Sequence, residues 1–298
     1  MKKLIYAGLS ALVTAGVLAG CVSAPKIESK QLDDKQTNDL AALGATNFGI
    51  KWEGRPVGAG ERGLMAVTDG VTSLTTRAGA RVFIIHNRKE FPPNAQAEFK
   101  GSDAELKSIG MRLLQASGAK KDEIADVQVL QQFTQSGETQ PGGKEVKVLP
   151  PQKSHRTLMV TRRVAGVDVV SSRLMLNVDG AGRAALMELA WPDINREVLE
   201  RAVRYKKLID SQYVPPRLEG AEVEAVQAVV LHAPAVGFYD DQTAAIRVIY
   251  RPTAKQVGQK AVRYVDERGE DVKLPRDVDR PREEPVKRKE KGVKSTLD

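Results

Sequence analysis

The sequence predicts an α+β protein in which antiparallel sheets are each covered by a helix, and three observations carry that expectation. Apolar residues recur at every second position through a series of short segments. They recur at helical spacing in only two stretches, 102–118 and 194–209. Runs of strands follow each helix, without the strict strand–helix alternation of a parallel sheet. Two units follow from this order, residues 48–192 and residues 193–271.

Taken in chain order, residues 22–47 are polar and lack apolar periodicity, which predicts a tether. From 48 to 87 short apolar runs are broken by glycines and read as strands, with 81–86 the clearest buried one. Ser102-Asp103-Ala104-Glu105 has capping-box spacing; Leu106, Ile109, Leu113 and Leu114 make one apolar face behind it, and Gly118 supplies the stop. Residues 126–133 alternate through Val127, Val129 and Phe133 as a strand. The segment 136–153, rich in Gly, Pro, Gln and Lys, reads as a long polar loop before a strand at 158–164.

Leu174, Leu176 and Val178 alternate into a turn at Asp179-Gly180-Ala181-Gly182 and return through Ala185, Met187, Leu189 and Trp191, a hairpin closed by Pro192. The helix over 194–209 turns Val198, Ala202, Tyr205 and Ile209 inward and sets Glu197/Arg201 and Glu200/Arg204 outward in acid-first order. Strands at 223–231, 245–251 and 261–266 complete the pattern. Residues 272–298 combine prolines with dense mixed charge and cannot offset their ordering entropy by burial; a disordered tail is expected, with Lys287-Arg288-Lys289-Glu290-Lys291 as a solvated run, the alternative being that it docks on an anionic surface.

The first 20 residues are of another kind. Lys2 and Lys3 precede an apolar run over 5–19, the length of a signal-peptide core and short of the ~20 residues that span a bilayer. The run closes on Leu18-Ala19-Gly20-Cys21, which resembles the bacterial lipobox. That resemblance implies cleavage after Gly20 and a diacylglyceryl group on Cys21, the one cysteine in 298 residues. Residues 21–47 are then a lipidated tether, and two or more acyl chains hold a protein stably on a membrane. Val22, rather than Asp, as the second mature residue resembles the outer-membrane sorting context, so the expected address is the cell envelope, on the outer membrane and facing the periplasm or cell surface. With Cys21 acylated no disulfide can form.

Composition narrows the partners. With 41% apolar and 28% charged residues the chain is ordinary globular material. Its net charge of +8 falls to +6 without Lys2 and Lys3, and the charges are interspersed. Aromatics are 5% of residues and form no basic stripe with stacking rings, which argues against nucleic acid as a partner.

From Val160-Thr161-Arg162-Arg163-Val164-Ala165-Gly166-Val167-Asp168 through Asp179 and Gly182, the text resembles the PepSY and FTP propeptide-type domains. Ala233-Pro234-Ala235-Val236-Gly237-Phe238-Tyr239-Asp240, with the strand at 246–250, is similar to their cystatin-like second half. The likeness covers roughly 101–267 and departs from the pattern at Asp168, where proline is common, and at Thr161, Arg162 and Arg163, where aromatics are frequent. It implies two cystatin-like units that bind another protein, the restraint of a secreted protease included, without catalysis. It also implies a contact edge at Arg162, Arg163, Gly166 and Asp168, whose arginines are expected to be solvated.

The chain offers no constellation for chemistry by spacing. His86, His155 and His232 lie far apart without a His-Glu-x-x-His pair, so no metal site is expected. Gly58-Ala59-Gly60-Glu61-Arg62-Gly63 lacks the Lys-Ser/Thr of a phosphate loop and reads as a plain loop. Ser154, Ser171 and Ser172 lack a Gly-x-Ser-x-Gly elbow and read as solvent-facing strand serines. Asp240-Asp241 reads as a turn, Glu283-Glu284 as tail, and Trp191 as core. No catalytic residue or cofactor is expected. The leading expectation is a membrane-anchored, non-catalytic protein-binding module; the alternatives are an accessory component of an envelope assembly or secretion complex, and an unrecognised hydrolase.

Overall fold

The structure, a computed structural model, describes residues 5–6, 30–61, 63–77, 80–88, 99–134, 136–139, 146–148, 150–233, 241–253 and 261–275. Cys21, Gly20, residues 234–240 and the tail from 276 lie outside the described residues. The fold is α+β: three helices and one large sheet that is antiparallel at all but one strand pair. A small separate sheet joins β1 (Ile5–Tyr6), β8 (Ser136–Thr139) and β9 (Val146–Val148). The segment 136–153 is therefore not all loop. Its Val-Lys-Val alternation forms a strand amid the glycines and prolines around it.

The chain enters the large sheet at β2 (Lys30–Gln31) and passes at once into α1 (Asp34–Phe48). The helix corrects the tether expected over 21–47 from residue 30 on; residues 21–29 lie outside the described residues. Asp33 accepts from the Gln36 amide at 2.7 Å and Gln36 reaches back to the Asp33 amide, a full capping box, and Gly49 ends the helix in the left-handed region. Its buried positions are Thr37, Leu40, Gly44 and Phe48. Two of those four are not apolar, so the helical period was muted in the sequence.

Four strands follow as a meander, β3 (Val57–Glu61), β4 (Leu64–Thr68), β5 (Thr72–Arg77) and β6 (Val82–Asn87). The Gly58–Glu61 stretch is thus strand rather than loop. A Cβ on Gly58 would lie 2.5 Å from Thr37 Oγ1 and 2.9 Å from Leu32, so glycine there lets α1 and the preceding segment lie against β3. Next come α2 (Asp103–Ala116), capped by Ser102 and Glu105 as its sequence predicts, a 3-10 turn (Lys121–Glu123), and β7 (Ile124–Thr134).

β10 (Gln152–Val164), β11 (Val167–Val178) and β12 (Ala184–Ala190) form the centre of the sheet. The predicted hairpin has Leu174 opposite Leu189 and Leu176 opposite Met187. After α3 (Arg196–Ser211), the strands β13 (Ala221–His232), β14 (Gln242–Pro252) and β15 (Ala261–Val265) complete it. On α3, Glu200 pairs with Arg196 and Lys206 with Asp210. Glu200 thus turns back to the preceding turn rather than forward to Arg204.

The twelve strands run β15-β14-β13-β11-β12-β6-β5-β4-β3-β2, with β10 also on β11 and β7 on β10. Where separate sheets were expected, β11 is shared. Its start, Asp168 and Val169, pairs in parallel with β13, and its later part pairs with β12, while β10 flanks both parts with a register shift between them. Two main cores flank this junction. One gathers Leu74, Ile85, Leu106, Leu158, Leu176 and Trp191 under α1 and α2; the other gathers Val167, Ala202, Tyr205, Val230, Ile246 and Tyr250 under α3. The C-terminal boundary also shifts. Val272 donates to the Tyr264 carbonyl at 2.9 Å and packs against the Val229–Leu231 layer, so order continues past the predicted start of the tail.

Candidate functional site

β10 and β11 are joined by a two-residue turn. Ala165 (φ 50°) and Gly166 (φ 77°) both lie in the left-handed region, the signature of a type I′ turn whose twist matches the strands it joins. Val164 and Val167 close the ladder below it. At this tip Arg163 and Asp168 face each other across the hairpin, Nε to Oδ1 at 2.6 Å, with the Arg163 side chain 52% exposed. The hydrogen bond to Asp168, then its charge, raises the Arg163 pKa. Gly166 is exposed, and a Cβ on it would meet the Lys206 stem at 3.5 Å.

Arg162 does not share that surface. Its side chain is 2% exposed, which corrects the expectation that both arginines are solvated. Along β10, Leu158 and Val160 point into the core, and the strand's two-residue period carries Arg162 the same way and Arg163 the other. The guanidinium is fully engaged. It meets Glu123 Oε2 at 2.7 and 2.9 Å, donates to the Pro192 carbonyl at 2.6 Å, and lies over the Trp191 ring at 5.3 Å. Trp191 Nε1 donates to the same carboxylate at 3.0 Å. Burial works to lower the Arg162 pKa and Glu123 opposes it; a guanidinium stays charged in such a site.

The network continues to Ser172 and His232. Ser172 Oγ lies 3.4 Å from Arg162 Nη1 and 3.0 Å from His232 Nε2, while His232 Nδ1 lies 2.7 Å from the Ala233 carbonyl. A carbonyl can only accept, so Nδ1 carries the proton and Nε2 accepts from the serine hydroxyl. Burial lowers the His232 pKa, and the charges of Arg162 and Arg77 push the same way. A hydroxyl on an oriented imidazole is the contact of a nucleophile with its base. Here, however, Ser172 is 1% and His232 6% exposed, so the pair is enclosed by protein. Ser172 is therefore not a solvent-facing serine. It shares the parity of Leu174 and Leu176 on β11 and faces inward with them.

Glu123, Arg162, Ser172, Trp191 and His232 come from the 3-10 turn, β10, β11, the residue after β12 and the end of β13, so the network ties the two cores where β11 is shared. No spacing motif marks positions so far apart in the chain. An open cleft of about 370 Å³ lies beside it, lined by Asp193, Ile194, Asn195, Val198 and Gln242. Gln242, cross-strand partner of His232, accepts from the Asn195 amide at 2.8 Å and donates to the Asp193 carbonyl at 2.7 Å, and Asp193 pairs with Arg81. These polar groups bind the linker before α3 to the sheet. Among the described residues no three His, Cys, Asp or Glu side chains gather as a metal site, and no helix is long and apolar enough to cross a membrane.

No family model matches the chain, and no curated protein matches it. Among solved structures it is similar to an uncharacterized protein from Eubacterium rectale, at 11% identity and a TM-score of 0.39, over 83% of this chain and 85% of that one. A likeness at that distance bears on neither fold nor function.

Proposed function

We propose that this chain is a non-catalytic protein-binding module held in the bacterial envelope by a lipid on Cys21, and that it meets its partner through the β10–β11 tip at Arg163, Gly166 and Asp168. The observation that carries the reading is the division of the hairpin. Arg162 is consumed by internal contacts, whereas the next residue and its ion-pair partner stand outside on a turn fixed by two left-handed residues. A rigid charged tip loses little conformational entropy when it docks. Arg162 leaves the proposed surface. The likeness to propeptide-type domains makes two cystatin-like units, one around each core, the finer form of the reading, and a secreted protease the kind of partner it restrains. The lipobox-like Leu18-Ala19-Gly20-Cys21 supports the anchor and the outer-membrane address.

The test uses the full chain in native membranes. Exchanging the charges, Arg163→Asp with Asp168→Arg, keeps the ion pair; melting should be unchanged and the copurifying partner lost. Retention at wild-type yield removes the tip from the reading. For the anchor, the mature N-terminal peptide should begin at Cys21 and carry lipid, and Cys21→Ser should move the protein to the soluble fraction; a variant that stays on the membrane contradicts it. Hydrolysis is the second reading, favoured by the Ser172–His232 contact alone. Turnover of an ester or peptide substrate that disappears in a folded Ser172→Ala protein would establish it over the first.

A further inference from the structure

Among the described residues the large sheet has three ends, and they are treated differently. At one, β2 is two residues long. At another, β15 is five residues long, carries Arg263 paired with Asp271, and is covered by the returning chain through a Val265–Asp271 bridge and the Val272 amide on the Tyr264 carbonyl. Short strands, charges and covering segments are the usual means of blunting an edge. Among the described residues β7 is neither short nor covered, and its one charge is Asp126. It runs eleven residues, Ile-Ala-Asp-Val-Gln-Val-Leu-Gln-Gln-Phe-Thr, without lysine, arginine, proline or glycine, and among the described residues it pairs on one side only, with β10. The Val127 amide is satisfied by the carboxylate of Asp126 at 2.8 Å, as befits an edge amide with no strand beyond it. Leu130 and Phe133, 36% and 58% exposed, are both on this strand.

We propose that the outer edge of β7 pairs antiparallel with the same edge of a second copy of this chain, about a two-fold axis at Val129. The strand's own chemistry selects this occupant. Its single charge, Asp126, would repel itself only if the axis fell on it. With the axis at Val129, Asp126 faces Gln132 of the second copy, an amide that can donate to it. In the same register Phe133 lies across from Ala125, a large side chain over a small one, Gln128 lies across from Leu130, and Ile124 from Thr134. Directly opposed side chains are close enough to interact and like charges there are destabilising. A two-fold contact of this kind is self-complementary and closed, and it removes the edge from both copies.

The test is the mass of the purified full chain in detergent micelles, by sedimentation or light scattering corrected for bound detergent, across a concentration series. The wild-type chain should be a dimer. Gln128→Lys with Leu130→Lys sets four lysines face to face across the axis at exposed positions; this variant should be a monomer with an unchanged melting temperature. In a Cys21→Ser background, Val129→Cys should give a disulfide-linked dimer on mild oxidation, since directly paired residues fall within the Cα separation that a disulfide requires, whereas Val57→Cys, at an exposed position away from the proposed axis, should not. A wild-type chain that is monomeric at tens of micromolar, or a double-lysine variant that stays dimeric, overturns the proposal.

Discussion

Arg162 and Arg163 are neighbours in the chain and opposites in the molecule. The first lies at a buried junction where a carboxylate, a carbonyl, an indole and a hydroxyl consume its donors; the second stands half in solvent at the hairpin tip with one ionic partner. Charge of the same kind thus has different work in the two places. At the junction it joins two cores across the shared strand, and the cost of removing it is the cost of stranding Glu123 in a nearly dry site. At the tip, water screens it and little stability depends on it.

Breaking the junction should show the largest effects. Arg162→Ala leaves the nearly buried Glu123 with only the exposed Lys120, 4.0 Å away, and should cost up to about 3–5 kcal/mol, read as a shift in the denaturant midpoint. Leu176→Ala, in the fully buried centre of the β11–β12 hairpin, belongs near it, at about 2–5 kcal/mol. A smaller loss, about 1–3 kcal/mol, should follow Ser172→Ala, because the hydroxyl that satisfies His232 Nε2 is gone. If Arg162→Ala costs no more than Arg163→Ala, the contrast drawn between the two arginines fails.

Protonation probes the junction more gently. Because burial lowers the folded pKa of His232 below its ordinary value, both states are neutral above about pH 6.5 and pH has no leverage there. As pH falls through that value the unfolded chain takes up the proton first, so stability must fall on acidification. His86, also lowered chiefly by burial, adds a slope of the same sign. Unfolding free energy measured between about pH 7 and 5 should therefore decline, and His232→Gln should flatten the decline. A profile unchanged by that substitution would mean that His232 is already solvated. At the quiet end of the series, Arg163→Ala should change stability by less than about 0.5 kcal/mol.

Much of this division was legible from period alone. Counting by twos from Leu158 and Val160 places Arg162 inside and Arg163 outside, and counting back from Leu176 and Leu174 places Ser172 inside. The resemblance to a family edge drew the arginines together; the strand's own parity separates them. The α2 helix, the β11–β12 hairpin and α3 were readable because their buried positions are apolar at the right spacing. α1 was not, since Thr37 and Gly44 take two of its four buried positions and its capping box begins in polar sequence. The meeting of Glu123, Arg162, Ser172, Trp191 and His232 could not be read at all. It arises only because β11 pairs with β12 along one part and with β13 along another, a long-range event that no local pattern records.

If the proposed binding resides at the tip and stability at the junction, partner recovery from native membranes, measured below the melting point for two full-length variants, separates the two. Arg163→Asp with Asp168→Arg should melt like the wild type and recover no partner, while Ser172→Ala should melt lower and recover the partner at wild-type yield. Full recovery by the tip variant, with loss in a folded Ser172→Ala protein, would contradict that division and place the function at the buried serine.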